Sequence, residues 1–411
     1  MSEHLPTEEI APKITILNGF AFPSSGFSDT GGLPLVRIRD LEASTTETRF
    51  RGQFDPRYVL KDSDVLIGMD GDFNVVRWSG GEALLNQRVC KVEAKPGAID
   101  TGFLYYSLQP KIAEIHRRTP QTTVRHLSTK TVEQIKLPVI GLGAQRRIAE
   151  ILDTLDVAIR STDRLIAKLE QMKQGLIHDL LTRGIDEHGQ LRDPVRHPEQ
   201  FKQSDLGDIP RSWDVVALGD LLTIRLGFAF RSEDYVEQGI LNFRVSNIGR
   251  SVENFGEVQY LPLRFWQAFP KQRLLGGEIV IVMVGSPPGS LGRVPSEMCP
   301  ALQNQNMWNL IPISGVDQDF LWFLLPGAVA RHMSQSQGSA RDFLTQKDFR
   351  RTRAVKPSSE EQKSIAKRLS VHEGRLAVER AELAKLCALK RGLMDDLLTG
   401  RVRVTANEDT A

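Results

Sequence analysis

The sequence predicts an α+β protein written in duplicate: two tandem mixed α/β globules joined by two long helices that pair as an antiparallel coiled coil, a pseudo-twofold internal repeat. Three observations carry this expectation. The tetrapeptide Gly19-Phe20-Ala21-Phe22 returns as Gly227-Phe228-Ala229-Phe230, each opening a segment of comparable length. Each segment closes on a helical tail with a matching end: Lys173-Gln174-Gly175-Leu176 then Leu180-Leu181-Thr182-Arg183-Gly184 in one, Lys390-Arg391-Gly392-Leu393 then Leu397-Leu398-Thr399-Gly400-Arg401 in the other. Both tails carry a heptad seam. A unit far longer than a solenoid repeat and present only twice makes a molecule that does one job at two places.

The chain of 411 residues is too long for one core and suits two domains of roughly 130 to 150 residues plus an extended part. With 40% hydrophobic and 25% charged residues, its composition is that of an ordinary soluble globular protein. No apolar run of about 18 residues occurs, and Met1 to Pro12 carries glutamates instead of a basic start and an apolar stretch, so a cytoplasmic protein is expected. Cys90, Cys299 and Cys387 lie far apart, without CxxC or a histidine at zinc-ligand spacing, and read as core or helix-face residues. A net charge of +2 averages over the chain and neither announces nor excludes a nucleic-acid partner.

Inside the two segments the landmarks keep step. Leu35-Val36-Arg37-Ile38 answers Asn242-Phe243-Arg244-Val245, each a short apolar run punctuated by arginine. Asp64-Val65-Leu66-Ile67-Gly68-Met69-Asp70-Gly71 answers Glu278-Ile279-Val280-Ile281-Val282-Met283-Val284-Gly285, and both read as a buried β-branched strand running into a glycine turn. Asn86-Gln87-Arg88-Val89 answers Asn304-Gln305-Asn306-Met307, and helical stretches follow at Gly102 to Arg118 and Phe320 to Ser334. His126-Leu127-Ser128-Thr129-Lys130 then answers Phe343-Leu344-Thr345-Gln346-Lys347, with Gln145 or Gln362 beyond.

The tails follow a different period. From Ile148 the apolar positions step through Leu152, Leu155, Ile159, Ile166, Leu169, Leu176 and Leu180, with Thr162 and Lys173 in the remaining slots. The second tail steps through Ile365, Leu369, Leu376, Leu383, Leu386, Leu393 and Leu397, with His372, Glu379 and Lys390 in the polar slots. Spacing of four and three sustained over about five heptads is a coiled-coil seam. Pseudo-twofold symmetry favours an antiparallel pair with a globule at each end, and brings Thr162 and Glu379 together near its middle. From Ile148 to Leu181 the rod is roughly 50 Å, against about 34 Å for a turn of B-DNA, so it can hold two globules over successive major grooves.

The boundaries expected are 1–142 for the first globule, 143–184 for its helix, 185–215 for a connector, 216–357 for the second globule, 358–401 for its helix and 402–411 for a tail. Gly, Pro and charged residues with sparse apolar anchors read as an ordered surface connector.

That connector carries a resemblance. Leu181-Thr182-Arg183-Gly184-Ile185-Asp186, the stretch His197-Pro198-Glu199 to Phe201-Lys202, and Leu206-Gly207 with Ile209-Pro210 and Trp213 resemble the central conserved region of type I restriction-modification specificity subunits. The paired tails resemble that family's helical spacers, and the likeness covers nearly the whole chain. It implies two target recognition domains, each reading one half of a split double-stranded DNA target, with the helices as a ruler. It also implies two docked adenine methyltransferase subunits joined by nuclease-translocase (restriction) subunits. S-adenosylmethionine would then belong to the methyltransferase, ATP and Mg to the translocase, and no cofactor to this chain. One departure stands out: no Ile-Pro-x-x-Trp segment precedes the first globule, where about a dozen residues lead to Ile14.

No motif supplies chemistry to the chain itself. Ser286-Pro287-Pro288-Gly289 resembles the amine-holding motif of amino-methyltransferases, but it lacks the stacking aromatic and a preceding glycine-rich loop, so a Pro-stiffened turn is the reading. Glu93-Ala94-Lys95 runs into Pro96-Gly97 and reads as a strand end entering a turn. GxxxxGK[ST], HExxH and GxSxG are absent. Neither a catalytic residue nor a metal ligand is assigned.

The duplication offers an internal control on base reading. If the globules read different half-sites, residues identical in both cannot encode the difference, so Gly-Phe-Ala-Phe, the Asn-Gln pairs and the Met-x-Gly turns are assigned to scaffold or phosphate contact. Divergence around shared turns selects Asp70, Asp72, Asn74, Arg77, Thr122, Thr123 and Arg125 in the first globule, and Ser286, Ser290, Arg293, Ser339 and Arg341 in the second. Arg suits guanine, Asn adenine, and Asp the cytosine amine. A coiled-coil adaptor whose twin globules bind protein fits the composition as well. Neighbouring genes for an adenine methyltransferase and a helicase-nuclease discriminate the two, while a subunit serving methylation without restriction fits the same residues.

Overall fold

The structure, a computed structural model, describes residues 5–119, 125–249, 258–284, 288–335 and 345–404. The chain divides into two compact units, Met1–Leu165 with Arg380–Ala411, and Ile166–Glu379. Each long helix, Leu142–Thr182 or Ser359–Leu398, is shared between the units. A globule is thus completed by a helical segment from each tail.

In the first unit an antiparallel sheet runs Ile14–Asn18, Val89–Ala94, Val65–Gly68, Val75–Arg77. A second sheet runs Phe27–Ser28, Arg49–Phe50, Leu33–Val36, Ala83–Leu85, Val59–Leu60, with one parallel pairing, Leu35 beside Leu84. Val65, Leu66 and Ile67 are buried, as a β-branched run covered on both faces requires. The helix Thr101–Arg118 starts where the Asp100 carboxylate accepts the N–H of Phe103 at 2.9 Å, and it buries Phe103, Leu104 and Leu108.

The second unit repeats this order: Leu222–Leu226, Met307–Pro312, Ile279–Val282, Leu291–Arg293 in one sheet, and Tyr260–Leu261, Ile240–Phe243, Ala301–Gln303, Arg273–Leu274 in the other. Its parallel pairing falls at the matching place, Asn242 beside Leu302. The internal repeat is therefore one of topology as well as of letters.

Within each unit the helical segments run antiparallel. In the first, Ile148 and Leu152 share a core with Leu397 and Leu398, while Lys390 Nζ meets Asp156 at 2.6 Å. In the second, Leu180 shares a core with Ile365 and Leu369, and Lys173 Nζ meets Glu373 at 2.5 Å. The lysines that interrupt the heptads thus each reach a carboxylate on the other helical segment. Thr162 belongs to the first unit and Glu379 to the second.

The connector is seated more deeply than a surface loop. Trp213 is wholly buried, Ile185 and Ile209 nearly so, and all three join the core of the second unit. Glu361, in the first turn of the second long helix, gathers the region: its carboxylate accepts the N–H of Ile185 at 2.9 Å, Arg192 Nη1 at 2.6 Å and Trp213 Nε1 at 2.9 Å. Sparse apolar anchors were legible in the sequence; one carboxylate tying Ile185 and Trp213 to Arg192 was not.

Candidate nucleic-acid interface

Gly-Phe-Ala-Phe is scaffold in both units. A β-carbon on Gly19 would stand 2.0 Å from the Asn86 carbonyl oxygen, and one on Gly227 would stand 1.8 Å from that of Asn304, so only glycine lets these backbones cross. Phe22 and Phe230 are buried behind them, Phe20 and Phe228 lie half exposed, and Asn86 and Asn304 are buried. This fixed crossing holds the turn after Ala83–Leu85, or after Ala301–Gln303, against the glycine turn that follows the buried strand. Met69 N–H donates to the Arg88 carbonyl at 3.0 Å, and Met283 N–H to the Asn306 carbonyl at 3.1 Å.

On this shared frame the first unit builds a charged cluster. Asp70, at 15% side-chain exposure, accepts from Arg88 and faces His126 Nδ1 at 2.6 Å. Burial pulls its carboxyl upward, but the hydrogen bonds from His126 and Arg88 outweigh that and hold it below the usual carboxylate range. Gly71 N–H donates to the Arg125 carbonyl at 2.9 Å and Leu127 N–H to the Met69 carbonyl at 2.7 Å, tying the two loops together. Arg125 Nη1 meets His116 at 2.5 Å, and His116 lies 3.5 Å from the exposed Asp72. Arg88 and His126 are more than half exposed while anchored at one end to Asp70, so each has a fixed base and a free edge.

The candidates chosen from sequence divide accordingly. Asp70, Asp72 and Arg125 come together here. Asn74 turns to Glu42, donating at 2.9 Å. Arg77 points elsewhere: it pairs with Asp153 at 2.8 Å and stacks 4.5 Å over Tyr105. Its second-unit counterpart Arg293 likewise pairs with Asp319 at 2.8 Å and stacks 4.9 Å over Trp322. Both arginines join sheet to helix within their globules. Ser290 accepts the Val282 N–H through its carbonyl at 2.9 Å, closing the turn before Leu291–Arg293. Thr122, Thr123, Ser286, Ser339 and Arg341 lie outside the described residues.

Sequence reading passed over Arg88, His116 and His126. The signal was present for two of them: Arg88 stands against Asn306, and His126 against Phe343, at landmarks shared by the copies. In the second unit Val284, 44% exposed, occupies the place of Asp70. Equivalent turns thus present ions in one unit and an apolar side chain in the other.

Among the described residues, no group of three or more His, Cys, Asp or Glu is placed to hold a metal ion, and no helix is long and apolar enough to cross a membrane. Comparison with known proteins agrees with the duplicated architecture. The family model for the type I restriction modification DNA specificity domain matches residues 8–171 and again 210–388. The chain is 28% identical over 352 residues to the type I restriction enzyme MjaVIII specificity subunit of Methanocaldococcus jannaschii, covering 84% of this chain and 80% of that protein. It is also 28% identical over 371 residues to the EcoBI specificity subunit of Escherichia coli, covering 86% and 76%. The crystal structure of the type I restriction-modification S subunit from M. genitalium shares the fold at a TM-score of 0.66 and 15% identity, with 98% of each chain covered. With the specificity domain matched once in each half, this protein belongs to the type I restriction-modification specificity subunit family.

Proposed function

We propose that the chain reads a bipartite, asymmetric double-stranded DNA target in the cytoplasm, one half-site per globule, and positions two adenine methyltransferase subunits on it without catalysing a reaction itself. The observation that carries this reading is the divergence of equivalent turns: Asp70, Arg88 and His126 in the first unit against Val284 and Asn306 in the second. Arg88, braced by Asp70, suits the two acceptors of guanine, and Arg125 with His116 suits phosphate. An exposed Val284 suits the thymine methyl group. The two half-sites then differ because the residues at one fixed geometry differ.

In this reading the long helices set the gap between half-sites. S-adenosylmethionine is bound by the methyltransferase partner, and ATP with Mg by restriction subunits where those join. Binding falls steeply with salt, because phosphate contacts release counterions.

Methylome sequencing of a host without other modification tests the reading, comparing cells that express the neighbouring methyltransferase with and without this chain. A split adenine-methylated motif that depends on the chain is expected. An active complex that leaves no motif overturns the proposal.

A further inference from the structure

One residue of the repeated tetrapeptide is not accounted for by packing. Gly19 and Gly227 hold the backbone crossing, and Phe22 and Phe230 fill the core behind it, but Phe20 is 46% exposed and Phe228 43%. Single apolar residues on a surface are ordinary. The same ring left open to the same extent in both copies, beside loops that otherwise diverge, calls for a common task.

Each ring is held in place. Phe20 lies edge to face with Phe22, centroids 5.2 Å apart, and 5.4 Å from the Tyr58 ring. Phe228 lies 5.2 Å from Phe230 and 4.7 Å from Phe269. The strand registers, Leu60 facing Ala83 and Leu274 facing Ala301, make Arg57 the counterpart of Lys271, and Asp55 the counterpart of Phe269. The second brace therefore comes from a different position of the same turn than Tyr58 does, yet it leaves an equally open phenylalanine. An exposed cation is kept there too: Arg57, 4.7 Å over Tyr58 and 3.0 Å from Asp55, or Lys271, two residues after Phe269.

Both rings adjoin the turn that carries the divergent residues. Phe20 bridges to Asn86, two residues before Arg88, and Phe228 to Asn304, two residues before Asn306. A residue kept in both copies cannot tell the half-sites apart; it serves what they share. In the DNA reading above, on which this inference rests, they share a phosphate backbone and one adenine each to be methylated. A phenyl ring offers phosphate no donor, which leaves the A·T pair.

We propose that Phe20 and Phe228 are positioning residues for methylation: each ring packs on the A·T pair of its half-site and stacks against the thymine when the adenine is drawn out of the helix. Modifying a base requires taking it out of the stack, at a cost in stacking and pairing. An apolar ring pushed in beside the step offsets that loss, and stacking tolerates any flanking sequence, as a residue common to two different half-sites requires. Arg57 and Lys271 carry the charge that the adjoining phosphates attract.

The test uses the full chain in complex with its neighbouring methyltransferase, on a duplex carrying the split motif that methylome sequencing defines. With 2-aminopurine in place of either target adenine, fluorescence should rise on binding. Phe20→Ala should suppress the rise and slow methylation about tenfold at one half-site only, and Phe228→Ala at the other. Phe20→Trp should restore both signals. Phe20→Leu, which keeps apolar volume without a flat ring, should fail as the alanine variant does and replaces it if that variant folds poorly. Signals unchanged in both Phe20 variants, equal loss at both half-sites, or loss of the methyltransferase from the complex overturns the proposal, the last by making the ring a protein contact. Absence of any split motif refutes the DNA reading and this inference with it, whereas a motif whose methylation is indifferent to both rings refutes this inference alone.

Discussion

Gln145, in the first turn of the first long helix, accepts the backbone N–H of Asp100 at 2.8 Å through its side-chain oxygen. Its amide donates to the Ile140 carbonyl at 2.7 Å, and Asp100 in turn caps the globule's helix. Gln362 repeats the clamp, accepting from Asp317 at 2.9 Å and donating to the Pro357 carbonyl at 2.9 Å. A single buried amide in each unit thus fastens the rod to the globule through the latter's own helix cap.

Removing that clamp should loosen the joint. Gln145→Ala leaves one buried donor and one acceptor unpaired and should destabilise the first unit by about 1–3 kcal/mol. Hydrogen exchange should accelerate at the start of Thr101–Arg118 and leave the start of Gln318–Gln335 unchanged; Gln362→Ala should give the converse.

The lysine–carboxylate pairs at the seam should behave as partly buried ions. Lys390 Nζ, at 19% side-chain exposure, holds Asp156 at 2.6 Å, and Tyr106 shares its proton between Asp153 at 2.6 Å and Asp156 at 2.7 Å. Lys390→Ala leaves Asp156 to Tyr106 alone and should lower stability by about 1–3 kcal/mol, while Lys390→Ala with Asp156→Ala should recover part of the loss. Chemical unfolding of the four members of the double-mutant cycle checks the coupling.

His372 should be a place to gain stability. Its two ring nitrogens are buried without hydrogen-bond partners among the described residues, at a seam position where the first helix carries Leu155. His372→Leu removes unsatisfied polar atoms and adds apolar contact, and should raise the stability of the second unit by about 1 kcal/mol. A higher unfolding midpoint by calorimetry is the expected result.

Acid should release the charged cluster through Asp70. Because its folded-state carboxyl is held below the unfolded value of about 3.9, its contribution is present above that pH and is lost as pH falls through the depressed value. Asp70→Asn should flatten this part of the stability profile, read from unfolding midpoints between neutral pH and pH 3, and NMR should show the His126 ring signal losing its partner.

The sequence by itself determined the duplication, the buried strands and the seam, because these follow from local period and repeated letters. Gly19 and Gly227 were legible as a pair, although the reason for glycine, a carbonyl oxygen where a β-carbon would stand, appears only in three dimensions. Only the tertiary structure decided which polar residues are committed within the fold. Arg77 and Arg293, selected from the sequence as candidates for DNA contact, pair with Asp153 and Asp319, while Arg88 and His126 are gathered around Asp70 from separate loops. It also decided that each unit is completed by helical segments from both tails. The physical reason is common to all of these. Periodicity reports which face of an element avoids water, whereas a side chain's partner is set by which distant backbone happens to pass within hydrogen-bonding reach.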